Sequence, residues 1–314
     1  MRIVFMGTPD FAVESLKALT ELPHEIVGVF TQPDRPVGRG HKIEKTPVKL
    51  YAEEKGIPVF QFEKIRRQEG LDALRALKPD LCVTAAFGQI LSKKILEVPR
   101  LGTINVHASL LPRHRGAAPV NRAIMQGDSE TGVTTMLTDA GLDTGCILLK
   151  KTADIKPDET AGELTERLAK LGAALLKETV QEYAAGNIVP IPQNEAEATY
   201  EPMMDKSEGL IDWNKTAPEI HNLVRGVDPW PGAYTYLNGE VLKVWKSACF
   251  DMESACRPGS VVKASGKDGL SVACGQGTLE ILELQLPGGK RMSANAYLAG
   301  RKIEIGTVLG EHNG

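Results

Sequence analysis

Short apolar runs alternate with amphipathic stretches over about the first 190 residues. Runs at 3–6, 26–31, 58–60, 81–85, 103–107, 133–138 and 146–150 predict strands, and helical patterns lie near 10–21, 46–55, 66–77, 117–126 and 160–185. Strand–helix alternation of this kind predicts a mostly parallel sheet covered on both faces. Thr160 and Glu163 form a capping-box signature before the last helix, and Gly186 is its stop. Between 187 and 206 the pattern lapses into Asn, Pro, Glu and Ala, which reads as a linker. A short helix is expected around 216–225. Beyond it, the Asn238-Gly239 pair between apolar runs at 234–237 and 241–245 predicts a hairpin. Further short runs at 260–264, 269–274 and 278–285, broken by glycine-rich turns, predict a small β-barrel.

A chain of 314 residues is long for one core, which agrees with two domains. No apolar run nears the ~20 residues needed to span a bilayer. The first strand begins at Arg2, so no signal or transit segment is expected and the protein should stay in the cytoplasm, as a monomer. Five cysteines without a C-x-x-C pair fit a reducing compartment and argue against a zinc site or a disulfide framework. The six histidines show no metal-ligand spacing, so no metal is expected. A net charge of −3 excludes a general nucleic-acid coat, and any RNA contact must come from a local patch.

Gly7 and Thr8, with Pro9 after them, form a strand-to-helix turn in which Thr8 is the expected N-cap. This is not the G-x-G-x-x-G fingerprint, which weighs against a nicotinamide dehydrogenase. Residues 33–45 hold Arg35, Arg39, Lys42 and Lys45 among glycines and prolines. They read as a mobile basic loop rather than an element, able to contact phosphates.

Asn105 and His107 sit two apart at the end of a strand, so both side chains leave the same face. Open α/β sheets hold their ligands at such strand ends. An amide donor, an imidazole and a carboxylate together can stabilise an oxyanion and move a proton near neutral pH. Asp139 and Asp143 both lie in a glycine-bearing loop that could return to this strand end, and spacing alone does not choose between them.

The stretches GTPDFA at 7–12, FTQPDRPVGRG at 30–40, NVHASLLPRHRGAAP at 105–119 and GLDTG at 141–145 closely resemble the methionyl-tRNA formyltransferases. These form a branch of the formyltetrahydrofolate-dependent formyltransferases. IDW at 211–213 and PWPGAY at 229–234 extend the resemblance over nearly the whole chain. It implies an α/β, doubly wound, Rossmann-like catalytic domain at 1–189, a linker at 190–206 and a C-terminal OB-like barrel at 207–314 that helps hold tRNA. The implied reaction moves the formyl group of 10-formyltetrahydrofolate, a co-substrate, onto initiator methionyl-tRNA, with no metal or nicotinamide. Asn105, His107 and Asp143 become the catalytic residues. Ser109, Leu110, Leu111 and Pro112 line the folate site, and Arg39, with Lys42 nearby, reaches the tRNA. Two alternatives remain: a formyltransferase acting on a sugar nucleotide or other small amine, and a non-catalytic RNA- or folate-binding module. The C-terminal part from Lys206 onward carries twelve Lys/Arg against twelve Asp/Glu, so a tRNA-binding face there must be a segregated patch. Trp213, Trp230 and Trp245 are expected to pack rather than to stack on bases.

Overall fold

The computed structural model describes residues 1–37, 42–250 and 255–310. The chain forms two compact units. The first holds Met1–Pro119, Glu130–Asp154 and Thr165–Glu201; the second holds Val120–Ser129, Ile155–Leu164 and Pro202–Gly314.

From the N-terminus the elements are β1 (Arg2–Gly7), α1 (Asp10–Thr20), β2 (Glu25–Thr31), β3 (Arg35–Val37), β4 (Lys42–Glu44), α2 (Pro47–Glu54), β5 (Val59–Gln61), α3 (Gln68–Leu77), β6 (Leu81–Ala85), α4 (Lys93–Leu96) and β7 (Thr103–His107). They continue with β8 (Arg115–Gly116), α5 (Pro119–Met125), β9 (Glu130–Leu137), β10 (Ile147–Asp154), α6 (Ala161–Ala184) and β11 (Tyr200–Glu201). The main sheet runs in the order β10-β9-β7-β6-β1-β2-β5. Its five strands from β7 to β5 are parallel, while β9 and β10 pair antiparallel at one side. This is the expected mostly parallel sheet. β6 is buried along its whole length, because helices cover both faces of such strands and near-continuous apolar runs satisfy both. On one side Leu71 and Leu74 of α3 join Val4, Met6, Phe30 and Cys82 of the strands in a single apolar cluster.

Two local expectations are corrected. Helix α1 is capped at Pro9, without a side-chain cap bond. The Thr8 hydroxyl instead donates to Phe87 O at 3.0 Å, a tertiary bond that wins over the local cap. The segment at 33–45 is also not simply a loop. β3 and β4 pair antiparallel, from Arg35 opposite Glu44 to Val37 opposite Lys42, and residues 38–41 between them lie outside the described residues. Its base is fixed by Asp34, which accepts from Lys49 Nζ at 2.6 Å and from Gln61 Nε2 at 2.7 Å. The Lys49 hydrogen bond, with that of Gln61, holds the Asp34 carboxyl below the usual aspartate range.

The second unit carries α7 (Ala217–Gly226), β12 (Ala233–Leu237), β13 (Glu240–Phe250), β14 (Val261–Ser265), β15 (Gly269–Ala273), β16 (Thr278–Gln285), β17 (Met292–Ser293) and α8 (Ala294–Gly300). Its strands form one antiparallel sheet ordered β12-β13-β16-β15-β14, with β17 added on β16. Among the described residues the end strands β12 and β14 do not pair with each other. The predicted hairpin is present: Asn238 and Gly239 both take positive φ, 53° and 83°, as a type I′ turn requires.

Leu74 is fully buried in the α3 cluster. Leu74→Ala should lower the unfolding free energy by about 2–5 kcal/mol, read as a shift of the urea midpoint with an unchanged slope.

Candidate active site

Strand β7 delivers Asn105 and His107 at the carboxyl edge of the parallel strands, as the two-residue period requires. Neighbouring β6 fixes the amide: Thr84 Oγ1 donates to Asn105 Oδ1 at 2.8 Å. The Asn105 NH2 is thereby turned towards Asp143, and Nδ2 donates to Asp143 Oδ1 over a long 3.5 Å. The reverse orientation would set an amide oxygen against a carboxylate. His107 is buried, with Nδ1 3.7 Å from Asp143 Oδ2.

The structure separates the two aspartates. Asp139 is exposed and spends Oδ1 on its own loop, accepting from Gly141 N at 3.0 Å and Thr144 Oγ1 at 2.7 Å. Asp143 turns inward with φ +53°, a left-handed conformation that Asp tolerates better than most residues. Gly145 makes this turn possible, because a Cβ there would run into Leu137 O.

Three consecutive residues brace the pair. Nε2 of His107 donates to His114 O at 2.9 Å; a carbonyl can only accept, so Nε2 carries a proton. Gly116 N donates to Asp143 Oδ2 at 2.9 Å. Between them Arg115 is fully buried and binds Glu195, Gln193 and Tyr200. The Glu195 hydrogen bond raises the Arg115 pKa, and the same bond holds the Glu195 carboxyl below its usual range. His114 reaches Glu201 Oε1 through Nδ1 at 2.9 Å, and β8 pairs in parallel with β11. Sequence reading missed Thr84, Gln193 and Glu195, and took His114 only as one of the basic groups in the loop after Pro112. Gln193 and Glu195 fall in the stretch at 187–206, which lacks any periodic pattern.

The stretch at 109–112 lies beside this site. The Ser109 hydroxyl donates to Arg113 O at 2.7 Å, and Ser109 O accepts from Thr134 Oγ1 at 2.7 Å. Leu111 N donates to that same Thr134 hydroxyl at 3.1 Å. Leu111 packs with Met136 and Ile147, whereas Leu110 is half-buried. Side-chain and backbone hydrogen bonds here serve the turn itself: Leu110 O accepts from Arg113 N at 3.2 Å and Pro112 O from Thr199 N at 3.3 Å.

Arg39 lies outside the described residues, and of Lys42 only the backbone in β4 is described. In the second unit Trp213 is buried and donates to Thr235 Oγ1 at 3.0 Å, as expected of a packing residue. Trp230 departs from that expectation, being 50% exposed. The Trp245 ring is flanked by Lys243 at 5.1 Å and by Arg291 at 5.2 Å, a cation–π arrangement in which Arg291 is also paired with Glu283 and Asp228.

Two family models match the chain: "Formyl transferase" over residues 1–180 and "Formyl transferase, C-terminal domain" over 203–302. A methionyl-tRNA formyltransferase of Trichlorobacter lovleyi is 52% identical over 99% of this chain and 98% of that protein. One from Acetivibrio thermocellus is 49% identical over 99% and 100%. Among solved structures, an N-formyltransferase from Helicobacter canadensis in complex with folinic acid and dTDP-3-aminofucose aligns with a TM-score of 0.66 at 20% identity, covering 89% of this chain and 98% of that one. HypX from Aquifex aeolicus with tetrahydrofolic acid gives 0.63 at 17% identity, over 98% of this chain and 50% of that one.

Gly116 has φ +110°, and a Cβ there would meet Glu201 O. Gly116→Ala should therefore cost more than about 2 kcal/mol by combining backbone strain with a lost strand pairing. A lowered thermal midpoint checks this.

Proposed function

The chain belongs to the formyl transferase family, and we propose that it passes the formyl group of 10-formyltetrahydrofolate to the α-amino group of initiator methionyl-tRNA. The observation that carries this reading is the convergence of Asn105, His107 and Asp143 in a chain about half identical, end to end, to methionyl-tRNA formyltransferases. Likeness to the sugar N-formyltransferases is far weaker, at 20% identity, and speaks for the fold alone.

In this reading the neutral amine attacks the formyl carbon and a tetrahedral oxyanion develops. The Asn105 NH2, pointed by Thr84, donates to it. His107, with Nε2–H held by His114 O, turns Nδ1 to the same space; in its protonated form it adds a second donor. The Asp143 carboxylate orients that cation and receives the proton released by the amine, which passes on to folate N10 as the N10–C bond breaks. The folate brings the one-carbon unit, and no covalent bond to the enzyme is needed. Ser109, Leu110, Leu111 and Pro112 seat the folate. Residues 1–189 carry the reacting side chains, 190–206 joins the two domains and also supplies bracing residues such as Gln193 to the site, and 207–314 hold tRNA on an OB-like barrel, in a monomer working in the cytoplasm. Arg39 and Lys42, of the basic stretch at 33–45, contact the tRNA phosphates.

Transfer of labelled formyl from 10-formyltetrahydrofolate to methionyl-tRNA, with uncharged tRNA as control, tests the function; no label on methionyl-tRNA would refute it. Asn105→Ala should lower kcat by ~10²–10³-fold, as loss of one oxyanion donor does. Arg39→Ala should raise KM for tRNA and reduce the slope of log KM against log salt by about one phosphate contact. An unchanged slope would remove that arm from the tRNA interface.

A further inference from the structure

Gln193 uses its whole hydrogen-bonding capacity between a buried cation and the loop of Asp143. Its Oε1 accepts from Arg115 Nε at 3.1 Å and Nη2 at 2.9 Å. Its Nε2 donates to Asp143 O at 2.7 Å and to Gly145 O at 2.8 Å. Arg115 has only donors, so the amide can sit in just one orientation, oxygen to the guanidinium and nitrogen to the loop. The guanidinium is itself fixed. Nη1 donates to Glu195 Oε2 at 2.9 Å and to the Tyr200 hydroxyl at 2.6 Å, and Nη2 to Glu195 Oε1 at 2.7 Å. With the two bonds to Gln193, all five of its N–H groups are placed.

The carbonyls that Gln193 holds belong to Asp143 itself and to Gly145. Asp143 needs support there, because its φ is +53° and, among the described residues, its carboxylate is hydrogen-bonded by Gly116 N and, over a long distance, by Asn105. We propose that Gln193 is a positioning residue for the formyl-transfer step, linking the buried Arg115, whose guanidinium is held by the solvent-facing Glu195 and Tyr200, to the backbone of Asp143. The inference rests on the reading that Asp143 takes part in formyl transfer. The segment at 193–201 then clamps the site from behind: it reaches Asp143 through Gln193, Arg115 through Glu195 and Tyr200, and His114 through Glu201. No atom of Gln193 need touch substrate for this.

Gln193→Glu tests it. The carboxylate keeps both acceptors for Arg115, so the cluster stays paired, but it cannot donate to the Asp143 and Gly145 carbonyls and repels them. The expected result is a fall in kcat of ~10²-fold, with KM for methionyl-tRNA and for 10-formyltetrahydrofolate changed by no more than about twofold, because misplacing a reacting group raises the barrier without weakening binding. The thermal midpoint should stay near that of the unaltered protein. Unchanged kcat overturns the proposal. So does a kcat loss matched by a large fall in thermal midpoint, which would make Gln193 a residue of the fold alone. So does a rise in KM that accounts for the whole loss. Asp143→Asn, assayed beside it, separates the two failures. If Asp143→Asn keeps full turnover, the reading of Asp143 falls; if it is inactive while Gln193→Glu is unaffected, only the positioning role falls.

Discussion

An aspartate can face an imidazole across a strand end only if its own backbone is held and its carboxylate has an anchor. Here the backbone is held by Gln193, and the anchor comes from the short segment that also braces the ring. Gly116 N–H takes one oxygen of Asp143, and His114 O takes the Nε2 proton of His107. The same three residues that fix the carboxylate also fix the ring, so the separation of the two groups is set by backbone geometry. The rest of the first unit serves this arrangement: β8 is held by β11, Arg115 is buried among Glu195, Gln193 and Tyr200, and His114 is paired with Glu201.

The sheet supplies what that brace cannot. β7 presents Asn105 and His107 on one face because it is extended, and it stays in register because β6 pairs with it in parallel through Thr84 opposite Asn105. Thr84 then uses its hydroxyl to decide which end of the amide enters the site. The oxyanion donor is therefore oriented before substrate arrives, which is the condition under which such donors are most effective.

Much of this was legible from the chain. Strands 81–85 and 103–107 read to the residue, because buried parallel strands show as short, near-continuous apolar runs. The pairing of Asn105 with His107 followed from the period of a strand. What remained illegible depends on distant partners. Spacing did not separate Asp139 from Asp143; the family resemblance chose Asp143, and the physical difference between them lies in long-range bonds to Gly116 and Asn105. Gln193 and Glu195 sit in an irregular stretch whose regularity lies in what it binds, not in its own spacing. Thr8 had a sound local signal as a cap, overridden by Phe87. The hairpin of β3 and β4 was hidden by its glycines and prolines, which dominate composition while a few flanking residues pair.

The claim that matters most is that the one-carbon unit is delivered to the junction of Asn105, His107 and Asp143. A crystal structure with a non-transferring analogue of 10-formyltetrahydrofolate tests it most directly. The formyl oxygen should lie ~3 Å from Asn105 Nδ2, with the Asp143 carboxylate still on Gly116 N. A formyl group seated away from these three side chains would contradict the account.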